Sequence, residues 1–91
     1  MKHDLTEPDL EKVTIVYLRD TQITDEGLKE AAKLQQLECL WLDNTQITDA
    51  GLKELTKLVK LHEVTLSGTK VTEAGVAELK KALPNCNIKG P

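Results

Sequence analysis

The order of apolar and polar residues along the chain follows two different periods in turn. In the segment around residue 40, Leu40 and Leu42 alternate with Cys39, Trp41 and Asp43. A period of two is typical of a β-strand that buries one face and exposes the other. We therefore expect a short strand here.

The period changes a few residues later. Leu52, Leu55 and Leu58 recur at i, i+3 and i+6, and the residues between them include lysine and glutamate. This spacing predicts an amphipathic helix of about three turns. Thr48 is a natural N-cap, and Asp49 is favourably placed at the positive end of the helix dipole.

The strand and helix pattern recurs three times with a period of 24 residues. Threonine, glycine and leucine each return at matching positions, namely Thr21, Thr45 and Thr69; Gly27, Gly51 and Gly75; and Leu18, Leu42 and Leu66. We predict one domain over residues 1–91, in which three units are flanked by an N-terminal cap and a C-terminal cap strand. The cap segments are 1–12 and 85–91, and the units are 13–36, 37–60 and 61–84.

Stacking of the units is required because a strand and a helix of this size cannot bury their own apolar faces. Parallel strands about 4.8 Å apart would bring matching apolar positions together between the sheet and the helices. Glycine in the first helical turn is unfavourable by propensity. Its recurrence predicts that each helix start closely approaches the neighbouring turn.

These residues carry a family resemblance. The pattern Leu37-x-x-Leu40-x-Leu42-x-x-Thr45-x-Ile47 resembles the leucine-rich repeat consensus. The repeat length and the segment Ile-Thr-Asp-x-Gly-Leu are similar to bacterial repeats related to the ribonuclease-inhibitor-like class. The resemblance implies an α/β right-handed solenoid with a concave parallel sheet, convex helices and three full repeats. Threonine replaces the family's usual Asn or Cys at the turn, and we expect its hydroxyl to bond a local backbone group.

Composition and charge exclude several classes of partner. The chain is 40% hydrophobic and 30% charged, with a net charge of -3, so it lacks the basic surface expected for nucleic acid or anionic membranes. The N-terminal residues show no apolar signal region and no stretch is long enough to span a bilayer. Two cysteines are too few for a disulfide framework, and we expect a reduced, cytoplasmic protein.

Aromatic residues are scarce, at 2% of the chain, and this points to the candidate site. The only two, Tyr17 and Trp41, occupy the same position in adjacent units, on the strand face turned away from the helices. The predicted concave face also contains Arg19, Cys39, Asp43, Asn44, Glu63, Thr65 and Ser67. Aromatics are enriched at interface hot spots, although the pair would also be explained by packing on each other.

Arg19 and Asp43 are predicted lateral neighbours. They are expected either to form an ordinary surface ion pair or to act as a polar rim beside the aromatics, together with Asn44. The leading hypothesis is therefore a non-enzymatic module that binds a protein or peptide on the concave face. The alternative is a structural, self-associating unit that pairs through this face or the sheet ends, or a fragment of a longer array.

Catalysis and metal binding find little support in the sequence. Cys39, His62 and Glu63 would be a conceivable nucleophilic group, but a shallow sheet face does not exclude water or offer an oxyanion hole. The histidines lack ligands at metal-binding spacing. No enzymatic activity, cofactor or metal is therefore expected.

Overall fold

The computed structural model describes residues 13–91, and the expected N-terminal cap at 1–12 lies outside them. Strands and helices alternate along the chain, which confirms the α/β class. The elements are β1 (Ile15–Tyr17), α1 (Asp25–Ala31), β2 (Cys39–Trp41), α2 (Asp49–Leu55), β3 (Glu63–Thr65), α3 (Glu73–Ala82) and β4 (Asn87–Lys89).

The four strands form one parallel sheet in the order β1-β2-β3-β4. Ile15 pairs with Cys39, Cys39 with Glu63 and Glu63 with Asn87, so every pair is offset by 24 residues in the sequence. The connections are the three helices, of which α1 packs on α2 and α2 on α3. Matching positions of the sequence pattern are therefore lateral neighbours in the sheet.

The core is aliphatic and lies between the sheet and the helices. On the inward side of the sheet, Leu40 and Val64 are fully buried, while Val16 packs partly buried against the same cluster. Leu52 and Leu79 close the core from the helix side. Branched aliphatic side chains can stack at the strand spacing, which accounts for a core without aromatic residues.

The helices α1 and α2 are shorter than the sequence pattern suggests. Each has seven residues, about two turns, so the prediction of three turns is wrong for both, whereas α3 has ten residues. After α2 the chain changes to i→i+3 bonding, with the Leu58 N–H donating to the Leu55 carbonyl at 3.0 Å. Leu58 still reaches the core at 0% exposure. Its spacing from Leu55 thus reflects a tight turn and not a further helical turn.

Threonine hydroxyls close the turn after each of the first three strands, as the sequence predicted. Thr45 Oγ1 donates to the Leu42 carbonyl at 2.7 Å, and Thr45 is only 2% exposed. The matching bonds in the neighbouring turns are Thr21 Oγ1 to the Leu18 carbonyl at 2.7 Å and Thr69 Oγ1 to the Leu66 carbonyl at 2.6 Å. The hydroxyl therefore satisfies a local backbone acceptor, as expected.

An aspartate at the start of each of the first two helices bonds to the N-cap threonine of the next helix. Asp25 Oδ1 accepts the Thr48 N–H at 2.9 Å, and Asp49 Oδ1 accepts the Thr72 N–H at 2.8 Å. The Thr72 hydroxyl also donates to Asp49, at 2.6 Å. These hydrogen bonds from Thr72 hold the pKa of Asp49 below its ordinary value. Sequence reasoning had given Asp49 only a helix-dipole role.

The recurrent glycine provides the space for this aspartate. A Cβ atom on Gly51 would overlap Oδ1 of Asp25, and one on Gly75 would overlap Oδ1 of Asp49. The predicted close approach of each helix start to its neighbour is thus confirmed at these two positions.

Candidate functional site

The strand side chains that point away from the helices form what we call the open face. Alternation along each strand places them there, opposite the buried ladder. The open face consists of Ile15, Tyr17, Arg19, Cys39, Trp41, Asp43, Glu63, Thr65, Ser67, Asn87 and Lys89.

An aromatic pair lies on the β1 and β2 part of this face. The ring centroids of Tyr17 and Trp41 are 4.6 Å apart and the ring planes are tilted by 48°. Tyr17 is 61% exposed and the neighbouring Ile15 is 49% exposed, whereas Trp41 is half-buried. The rings thus pack on each other and still present apolar surface to solvent, and their role in binding stays a prediction.

Arg19 covers Trp41 from the strand end. Its guanidinium carbon lies 5.1 Å from the indole centroid, and its Nε lies 3.3 Å from Oδ1 of Asp43. The Thr65 hydroxyl donates to the same carboxylate oxygen, and the Asp43 side chain is only 14% exposed. The Trp41 Nε1 atom is inaccessible and has no hydrogen-bond partner among the described residues. Arg19 and Tyr17 thus both pack against the indole.

Asn44 lies outside this cluster, at the strand end. Its Nδ2 donates to Oδ1 of Asp20 at 2.8 Å, and both residues adopt left-handed backbone, with φ of 59° and 61°. Gly68 occupies the equivalent place with φ of 76°. Asn, Asp and Gly are the residues that tolerate this conformation best. Ser67, exposed at the end of β3, accepts the Asn44 N–H on its carbonyl at 2.7 Å.

Cys39 lies on the same face, half-buried beside Glu63. Its thiol donates to Glu63 Oε1 over 3.7 Å. Burial first, and then the Glu63 carboxylate, raise the pKa of Cys39. The buried Cys86 also has a raised pKa, mainly because of burial, and both cysteines are free. Since the thiolate is the reactive form, both groups are held in their less reactive state.

We expect Cys39 to react slowly with iodoacetamide and to react faster in a Glu63→Gln variant, because the substitution removes the carboxylate that disfavours the thiolate. Peptide mapping by mass spectrometry at pH 8 separates alkylation of Cys39 from that of Cys86. The Cys86 rate serves as an internal measure of opening of the fold. Equal Cys39 rates in the two proteins would contradict the role assigned to Glu63.

A small depression opens beside the aromatic pair. It has a volume of about 130 Å³ and is lined by Arg19, Trp41, Asp43, Glu63 and Thr65. It brings five of the sequence-predicted site residues together, while Asn44 and Ser67 stand apart from it. Its two carboxylates and one hydroxyl supply hydrogen-bond acceptors next to an indole ring.

The helix side has grooves that are larger than this depression and are lined by other residues. One between α2 and α3, of about 690 Å³, is lined by Lys53, Thr56, Glu78, Lys81 and Ala82. Lysine and glutamate pair along the helices, as in Lys57–Glu54 at 3.4 Å and Lys81–Glu78 at 3.9 Å. Such exposed pairs contribute ~0–1 kcal/mol each and are the usual solvated surface of a helix.

Within residues 13–91, no three His, Cys, Asp or Glu side chains are placed to hold a metal ion. In the same part of the chain, every helix is too short or too polar to cross a bilayer.

Part of the chain matches a known family. Residues 10–30 match the model of the family described as Leucine Rich repeat, which confirms the resemblance for this segment. The matched segment includes β1 and most of α1. The bacterial type and the ribonuclease-inhibitor-like class stay predictions. No curated protein matches the chain.

Proposed function

From the leucine-rich repeat at residues 10–30, we propose that the chain is a non-enzymatic module that binds a protein or peptide on its open face. The observation that carries this proposal is the apolar surface at β1 and β2, where Tyr17 and Ile15 remain 61% and 49% exposed beside Trp41. Exposed aromatic groups of this kind are enriched among residues that dominate binding energy. The repeat family itself suggests an interaction module.

The proposal includes the architecture that presents this face. Three 24-residue units would stack as a right-handed solenoid, with the sheet concave and the helices convex. The uniform offset of every strand pair supports this, because each unit then contacts its neighbours in the same way.

Tyr17 and Trp41 are the anchors in this proposal, with Arg19, Asp43 and Asn44 as the polar rim. Trp41 is already fixed between Arg19 and Tyr17, so little side-chain entropy remains to be lost on binding. The further contacts are assigned to Cys39, Glu63, Thr65 and Ser67. The raised pKa of Cys39 supports a contact role over a nucleophilic one.

The test compares retention of host proteins by immobilised wild-type chain and by variants. Tyr17→Ala is the main variant, because a side chain that is 61% exposed can be removed with little effect on folding. Val59→Ala is the control, since Val59 is 76% exposed but lies in the turn after α2. We expect a partner that wild type and Val59→Ala retain and that Tyr17→Ala and Trp41→Ala lose. A partner retained equally by all four proteins contradicts the anchor role.

The second candidate is a self-associating unit. In the described sheet β4 pairs only with β3, and an unpaired strand edge can accept another chain. Sedimentation over a concentration series distinguishes the two, because a monomer at high concentration contradicts obligate self-assembly. We place either activity in the cytoplasm, on the sequence grounds given above.

A further inference from the structure

Within residues 13–91, Glu63 is the carboxylate of the open face that forms no ion pair, and it lines a depression together with Trp41. From this we propose that the bound segment carries a lysine or arginine next to an apolar side chain, with Glu63 as the counter-ion. This inference rests on the proposed function and specifies the chemistry of the partner.

Asp43 is not the group that receives the cation. Arg19 Nε lies 3.3 Å from its carboxylate and the Thr65 hydroxyl donates to it, so its charge and one of its oxygens already have partners. Arg19 also lies over the Trp41 ring, so the Arg19, Trp41 and Asp43 side chains of this corner contact one another. A second cation would have to displace Arg19 from Asp43 in order to pair with it.

Glu63 differs from Asp43 in each of these respects. It is half-buried, yet none of the ion pairs within residues 13–91 includes it. The one side-chain donor that reaches it within those residues is the Cys39 thiol, at 3.7 Å, and a thiol is a weak donor. Lys89, the other basic residue on this face, is in register with Thr65 and forms no ion pair with Glu63. A partly desolvated carboxylate of this kind favours an incoming cation over an anion.

The depression beside Glu63 limits the size of the group that it can hold. At about 130 Å³ it is well below the ~300–1,000 Å³ of pockets that enclose whole small molecules. It is suited to the end of one side chain, and its wall includes the indole of Trp41 and the side chains of Arg19 and Asp43, whose charges are already paired with each other. A lysine or arginine combines an apolar stem, which can lie against that ring, with a charged end for Glu63.

The apolar part of the partner is placed by the strand register. Cys39 pairs with Glu63 and Ile15 with Cys39, so the exposed surface of β1 lies two strands, about 10 Å, from Glu63. Cys39 lies between Ile15 and Glu63. Trp41 lies between the exposed Tyr17 on β1 and the depression beside Glu63. On a helical partner, residues one turn apart have Cβ atoms about 5–6 Å apart. Long side chains at two such positions can reach both Glu63 and the exposed surface of β1. On an extended partner, alternate residues lie about 7 Å apart along the chain, so their side chains can reach the same two places.

The test is selection of random peptides, displayed on phage, on immobilised full chain, followed by sequencing of the retained pool. We expect wild type to enrich peptides that place Lys or Arg near an aromatic or large aliphatic residue. Glu63→Gln should lose the enrichment of cations and keep that of apolar residues, whereas Glu63→Lys should enrich Asp and Glu instead. Glu78→Gln, which removes a carboxylate on α3 that is 75% exposed, is the matched control. Circular dichroism establishes that each variant is folded before selection.

A synthetic peptide from the wild-type pool then gives the size of the effect. Loss of one partner of a charged hydrogen bond predicts that Glu63→Gln weakens its binding by about 10- to 100-fold, and that added salt reduces this difference. If Tyr17→Ala abolishes selection but Glu63→Gln and wild type enrich the same peptides, the cation assignment is wrong and the proposed function stands. If wild type enriches no peptides that the Tyr17→Ala variant loses, both fail.

Discussion

The Leu40→Ala variant is expected to lose about 2–5 kcal/mol of the free energy of unfolding. Leu40 is 0% exposed in the inner strand β2, where it lies in register with Val16 on one side and Val64 on the other. Alanine removes the apolar area that the leucine buries and leaves a cavity that the neighbouring strands cannot fill without breaking their pairing. A domain of this size typically has only ~5–15 kcal/mol in total, so much of its stability would be lost.

Urea denaturation followed by circular dichroism measures this loss. Val59→Ala is the matched control, because it removes aliphatic carbons from a side chain that is 76% exposed and should change stability by no more than about 0.5 kcal/mol. A Leu40→Ala midpoint equal to that of Val59→Ala would show that the strand ladder is not the core.

The Gly51→Ala variant is expected to be less stable by about 1–3 kcal/mol, although alanine is the better helix former by ~1 kcal/mol. The new Cβ would overlap the Asp25 carboxylate. That carboxylate cannot move aside freely, because it accepts the Thr48 N–H at 2.9 Å and the Thr48 hydroxyl at 2.5 Å. Displacing it breaks both bonds between the starts of α1 and α2.

A double-variant cycle with Asp25→Ala separates this effect from helix propensity. Once the carboxylate is absent, Gly51→Ala should stabilise the chain relative to Asp25→Ala alone, because the propensity gain is then opposed only by a contact of the new Cβ with Ile47 Cγ2 at 3.2 Å, which a small shift relieves. Thermal unfolding of the four proteins gives the coupling energy. The explanation is wrong if Gly51→Ala has the same sign of effect in both backgrounds.

The strand register could be predicted from the sequence because few alignments of the strands are compatible with the pattern. A period of 24 with inward aliphatic residues allows one alignment of the strands, and that alignment makes Tyr17 a neighbour of Trp41 and Arg19 a neighbour of Asp43. Neighbour relations on the open face follow directly from it. The periodicity could not show where a helix gives way to a tight turn, because Leu58 faces the core in either conformation.

Other features of the site depend on side-chain rotamers and on charges brought together by the fold. The position of Arg19 over the Trp41 ring and the partial burial of that ring result from a choice among rotamers. The absence of an ion-pair partner for Glu63 among residues 13–91 is visible only in the structure, because it depends on where each nearby cation lies. The hydrogen bond that Thr48 donates to Asp25 left a signal in the sequence, since Thr-Asp-x-Gly recurs, but its meaning required the packing of one helix start on the next.

The constant offset between paired strands also determines how such a surface can change in size. Inserting or deleting a whole 24-residue unit leaves every remaining pair in register, whereas one residue inserted within a strand would turn its inward residues outward. The width available to a ligand therefore changes in discrete steps of one strand, about 4.8 Å each. The open face can therefore vary by exchange of its outward side chains and by duplication of a whole unit.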